Sequence, residues 1–368
     1  MGRDGIGLHR LVPDWDMPYE EPPCFWTPDG RYLVLPGFYS SLVTPWVVRL
    51  PTRLLRRSGQ ATRLGAPRVN DLCPVAMSPD GTRIFCVGQS GISYQIERLD
   101  ARSKQLAPYL PDVHASAVDF TRDGKWLAYV EENRLWKSRG DGSEKVQLTF
   151  PPLQVDFPRW SPDAKWIAVM GREPGRPWKA RVVSADGGPC RPLTSTGEDE
   201  GVATWSADGS RLAFGGLVNP ATRKPGSLFI HIFDLKKHRL STVPGSEGLW
   251  TARWSPDGRY IAAVTEDSHS LMLFDFRTRK WTKLVTVNQV FDLRWSCHGG
   301  FVYFSDIPPQ GKPALFRLKV PGHQAERLVS LQQRLEAGWL GLAPDDSPLI
   351  MHQTLPEEIY ALECQFPL

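Results

Sequence analysis

Three arginines fall at equivalent places in a repeated pattern. Arg159, Arg253 and Arg294 each stand one residue before a tryptophan, namely Trp160, Trp254 and Trp295. Asp119 and Thr204 hold the same place before Phe120 and Trp205. A guanidinium is a planar fork of donors that fits carboxylate or phosphate. If the equivalent positions converge, Arg159, Arg253 and Arg294, with Asp119 beside them, make an anion-binding site. The blander reading pairs each arginine with a nearby acid, such as Asp156, Glu198, Glu247 or Asp292. Such ion pairs tie elements together and need no ligand, which favours the blander reading.

Other chemistry finds little support. A hydrolase elbow, G-x-S-x-G, is absent, and so is a phosphate-binding G-x-x-x-x-G-K-[ST]. The eight histidines show no H-x-x-x-H or H-E-x-x-H spacing. The six cysteines form no C-x-x-C pair, so buried free thiols are expected, with a Cys24–Cys364 bridge left open. No metal or cofactor is therefore expected. The acidic run Glu198–Glu200 and the basic cluster Arg53, Arg56, Arg57, Arg63 and Arg68 read as solvated faces.

The elements that must position these residues are hairpins. In Trp254-Ser255-Pro256-Asp257-Gly258, proline and aspartate suit the centre of a type I turn and glycine the left-handed residue after it. Tyr260–Val264 follows as an apolar strand. The turn-opening residue recurs as Trp26, Met77, Phe120, Trp160, Trp205, Trp254, Trp295 and Leu342, at intervals of 40 to 51 residues. A turn aspartate recurs in seven copies, with His298 in its place in the other. Aspartate in a turn accepts backbone N–H bonds, which explains it without catalysis.

Four short strands per copy make the blade of a β-propeller. The expected fold is all-β, a single domain over residues 1–368. It is an eight-bladed propeller of four-stranded antiparallel blades, with seven blades as fallback because the last copy is weakest. Leu8–Val12 is expected to close the ring beside Glu358–Glu363. The turn-opening tryptophans are expected between blades. Insertions between strands and between blades emerge on one face, so a ligand site is expected at that loop-rich mouth of the channel.

Composition agrees. Net charge is +4, from 44 basic and 40 acidic residues, too balanced to argue for nucleic acid. The first residues lack the apolar core of a signal peptide, and no stretch reaches the length of a membrane span. A cytoplasmic monomer is the expectation as written, or a periplasmic one if the piece follows a membrane span in a longer protein.

The segments Trp254–Val264, Met77–Val87 and Phe120–Val130 resemble the TolB-like propeller repeat. More narrowly, Leu135–Ser143, Gln147–Pro152, Val183–Gly188, Trp339–Pro348 and Glu358–Leu362 resemble the C-terminal propeller region of bacterial, acidobacterial-type winged-helix regulators. That resemblance implies a region that senses or binds something, downstream of a DNA-binding domain that this sequence does not contain. The resulting expectation is a non-catalytic module binding a protein or small anionic ligand. The alternatives are a propeller lactonase, lyase or hydrolase with a channel-centred site, and a propeller piece of a peptidase-like or regulator protein.

Overall fold

In the computed structural model the described residues are 23–364, apart from 40–41, 50–59, 65–69, 90–92, 101, 218–227, 291, 332–339 and 355–356. Among them there is no helix, and hence none long and apolar enough to cross a membrane. Eight antiparallel sheets follow one another, seven of four strands and one of three.

Each copy of the repeat opens on the expected turn. In the Trp254 copy, the Gly258 N–H donates to the Ser255 carbonyl at 2.9 Å. The Asp257 carboxylate accepts from the Ser255 hydroxyl at 2.5 Å and the Arg259 N–H at 3.0 Å. The Ser255 hydroxyl oxygen also accepts the Tyr260 N–H at 2.8 Å, which locks the first pair of the hairpin. The same Ser/Thr–Asp clasp recurs at Thr27–Asp29, Ser78–Asp80, Thr121–Asp123, Ser161–Asp163 and Ser206–Asp208. All eight turns place a residue at positive φ. Six are glycines, whereas Ala164 (56°) and Asp346 (64°) adopt it with a side chain.

Contacts divide the chain into two compact units. The smaller comprises Met1–Ser93 with Thr354–Leu368. One of its sheets runs Phe25–Trp26, Tyr32–Tyr39, Leu42–Arg49, Gln60–Arg63, and the other Glu357–Glu363, Arg83–Gln89, Asn70–Met77. Tyr32, Val34 and Val47 of the first meet Leu72, Ile84 and Cys86 of the second in a buried core.

The larger unit, Tyr94–Gln353, holds six four-stranded sheets. Their inner strands are Ala117–Phe120, Gln154–Trp160, Thr204–Trp205, Leu249–Trp254, Leu293–Trp295 and Leu340–Leu342. Each lies beside the next, and Leu340–Leu342 lies beside Ala117–Phe120, so the six close a ring. Apolar faces of adjacent blades interlock. Ala262 and Val264 of one blade, for example, share a buried cluster with Val302 and Phe304 of its neighbour.

The eight sheets match the eight copies, but the closing strands are distributed differently. The ring ends in a composite blade ordered Leu340–Leu342, Pro348–Thr354, Ser93–Leu99, Leu106–Tyr109. The outer strands of the second copy thus complete the eighth. In return Glu357–Glu363 pairs with Arg83–Gln89, Tyr360 opposite Cys86. Equivalent repeats offer equivalent edges, and this exchange pairs the first strands of the ring with the last. The expected partner of Glu358–Glu363, Leu8–Val12, lies outside the described residues, as do Arg53, Arg56, Arg57 and Arg68.

Candidate functional site

Position by position, the ring brings the same column of residues to its centre: Asp119, Arg159, Thr204, Arg253, Arg294 and, in the composite blade, Gly341. Each is the penultimate residue of its inner strand. In three blades the indole N–H of the following tryptophan donates to the carbonyl of the column residue in another blade. Trp160 reaches Asp119 at 3.1 Å, Trp205 reaches Arg159 at 2.9 Å and Trp295 reaches Arg253 at 2.9 Å. Trp254 instead donates to its own Gly258, while its backbone N–H donates to the Thr204 hydroxyl at 3.1 Å. The tryptophans of these four blades are buried, 6–9% exposed. They are therefore wedges that set the column, as expected, although Trp26 in the smaller unit is 51% exposed.

The column frames a cavity of about 190 Å³ lined by Asp119, Arg159, Thr204, Arg253 and Arg294. Its rim comes from the hairpin turns, including Arg122, Pro256 and Pro344. This corrects the expected location. The inner strands begin at the inter-blade loops and end at the hairpin turns, so residues before the turn lie at the turn end, away from the loop-rich face.

The charges do not balance evenly. Arg253 donates to Asp292 at 2.6 Å, and both are buried. Arg294 lies 3.7 Å from Asp292 and 3.8 Å from Asp119. The Asp119 carboxylate also accepts the Trp160 N–H at 2.7 Å. These two arginines follow the ion-pair reading. Arg159 does not. It is 5% exposed, its Nη1 donates to the Pro158 carbonyl at 2.5 Å, and its Nε and Nη2 have no hydrogen-bond partner.

Burial, reinforced by Arg294 and Arg253, pushes the Arg159 pKa well below its usual value. A guanidinium nevertheless stays protonated in proteins, so this pressure expresses the cost of burying the charge, which Asp119 and Asp292 offset in part. Burial also raises the Asp119 carboxyl, against the pull of Arg159, Arg294 and Arg253. Burial would raise Asp292 as well, but Arg253, Arg294 and Arg159 outweigh it and hold that carboxyl low. Asp156, on the Arg159 strand, is pushed up to about 6 by burial, opposed by the Phe157 N–H and by Arg159.

Among the described residues, no cluster of His, Cys, Asp and Glu is arranged to hold a metal ion. The six cysteines are free thiols, Cys24 and Cys364 included. Lys179 and Glu200 form a second buried ion pair at 2.8 Å, with Thr196 and the Glu198 carbonyl completing the lysine's bonds. That network is satisfied and ties the acidic run to its blade. Arg122 escaped the sequence reading, although a signal was there: it replaces the proline found at that turn position in five of the eight copies.

No family model matches the chain. Over 105 residues it is 33% identical to a curated relative, Tricorn protease homolog 1 of Streptomyces coelicolor. That match spans 28% of this chain and 9% of the relative's length. By structure the chain is similar to putative TolB from Agrobacterium tumefaciens, with a TM-score of 0.60 at 16% identity, covering 72% of this chain and 99% of that one. It is similar also to oligogalacturonate lyase from Vibrio parahaemolyticus, with a TM-score of 0.43 at 16% identity, covering 85% and 93%. The fold is a TolB-like propeller. The expectation of a non-enzyme is corrected: the chain shares sequence with a protease homolog, so the absence of a reaction does not follow from its residues. The physical reason is that a missing nucleophile elbow excludes one mechanism, while channel-centred chemistry needs no such elbow.

Proposed function

We propose that the centre of the ring is a recognition site for a small anion, a carboxylate first of all. The observation that carries this is Arg159, which lines the cavity beside two further arginines and whose buried guanidinium keeps two nitrogens unpartnered. A buried charge left without a partner is costly, several kcal/mol in general. An anion entering the cavity supplies the missing charge, and the planar fork accepts a carboxylate in two parallel bonds. The reading concerns recognition and assigns no reaction. The narrower likeness, to the sensing propeller region of winged-helix regulators, is compatible with it and belongs to the same proposal.

Thermal melting at fixed ionic strength, with acetate or phosphate titrated against chloride, tests the reading. The wild-type chain should show a saturable rise in melting temperature. Arg159→Gln should show none, and without anion it should melt no lower than wild type, because it removes an unpaired buried charge. If Arg159→Gln melts lower and the wild type shows no anion-dependent rise, the arginine merely ties blades together and the proposal fails.

A further inference from the structure

Of the four guanidiniums lining the cavity, only that of Arg122 is exposed. It follows Thr121 in the turn, where Pro28, Pro79, Pro162, Pro256 and Pro344 stand in other copies. Proline there presets the turn dihedral. Arginine gives up that advantage and adds a long cationic arm. The arm crosses the ring, because Arg122 Nη2 donates to the Pro256 carbonyl at 3.3 Å. Counting inner strands, the blade carrying Arg122 and the blade carrying Pro256 are three places apart in a ring of six, so they face one another across the cavity mouth.

The tether is weak. One neutral acceptor at that distance contributes little against solvation of an exposed guanidinium. Nor does the position suit a cation by itself, since Arg159, Arg253 and Arg294 lie in the same cavity and repel it. An acidic group between mouth and floor would reverse that balance.

We infer that the ligand of this site carries two acidic groups and is a small dicarboxylate. One carboxylate meets Arg159 between Arg253 and Arg294, and the second meets Arg122 at the mouth. The inference rests on the anion-recognition reading above and adds to it the number of charges. The cavity, about 190 Å³, equals the liquid volume of about six waters, which suits a chain of four to six carbons. Arg122 is then a specificity residue, which distinguishes two-headed from one-headed acids.

Calorimetric titration with glutarate and with its monoamide, at fixed ionic strength, tests this. Wild type should bind glutarate roughly tenfold or more tightly than the monoamide, the worth of one charge-assisted bond. In Arg122→Gln that ratio should fall to near one, with the melting curve showing an intact fold. In Arg159→Gln binding of both probes should be lost. Equal affinity of wild type for the two probes, or a ratio unchanged in Arg122→Gln, overturns the dicarboxylate inference and leaves the underlying reading standing. Failure of wild type to bind either probe overturns both.

Discussion

Asp156 shows how a single side chain can weigh on the fold. It sits on the strand that carries Arg159, and its carboxylate accepts a hydrogen bond from the adjacent Phe157 N–H at 2.8 Å. Burial lifts its pKa from 3.8 to about 6. A carboxyl raised on folding favours the folded state only while it is protonated. The advantage is full below about pH 4 and is lost as pH rises through about 6. At about 1.4 kcal/mol per pKa unit, the ionised group costs the fold about 1–3 kcal/mol at pH 8. Asp156→Asn should therefore raise the melting temperature at pH 8 and leave it unchanged at pH 4. Chemical denaturation at the two pH values checks this, and an equal effect at both would mean that the carboxyl is not desolvated.

Among the elements, the repeat turn carries the most specific expectations. Ala164 holds φ at 56°, where the glycine of other copies is unstrained. A left-handed non-glycine residue costs about 1–2 kcal/mol, and part of that returns as unfolded-state entropy when glycine is introduced. Ala164→Gly should stabilise by up to about 1 kcal/mol, measured by urea melts; a loss of stability would show that the alanine methyl packs usefully. The wedge behaves oppositely. Trp254 is buried, stacks on Phe276 with ring centroids 5.2 Å apart and lies under Arg211. Trp254→Ala should cost about 3–5 kcal/mol. These features were legible because turn chemistry is local: proline, aspartate and glycine dictate dihedrals within four residues. The column of arginines was legible for the same reason, since equal distance from the turn means equal place on the strand. Arg122's reach to Pro256 was not, because it depends on how many blades close the ring. Nor could the unequal pairing of Arg159 and Arg253 be read, because it turns on where Asp292 points.

For the molecule, two groups of carboxyls set opposite pH slopes. Hydroxyls of Ser78, Thr121 and Ser206, followed by backbone amides, hold the turn carboxyls of Asp80, Asp123 and Asp208 down to about 2. A carboxyl lowered on folding supports the fold above its unfolded pKa of about 4, and that support fades as pH falls towards 2. Asp156 acts in the other direction through about 6. Melting temperature should accordingly rise slightly from pH 8 to pH 5 and fall below pH 4. A scan across pH 2–8 checks the shape, and a monotonic decline from neutral pH would contradict it.

The composite blade also has a kinetic meaning. Arg98 and Asp345, joined across it by an ion pair, are separated by 247 residues. Contacts that distant carry a large loop-closure entropy and arise late in folding. During synthesis the paired strands Ser93–Leu99 and Leu106–Tyr109 are made long before Pro348–Thr354, the strand that covers the free edge of Ser93–Leu99. Over that interval a nascent chain presents an open sheet edge, the kind of template on which neighbouring chains on a polysome pair wrongly. The burden of folding this protein thus lies in its order of synthesis, and a circular permutant beginning between two interior blades of the ring would redistribute it.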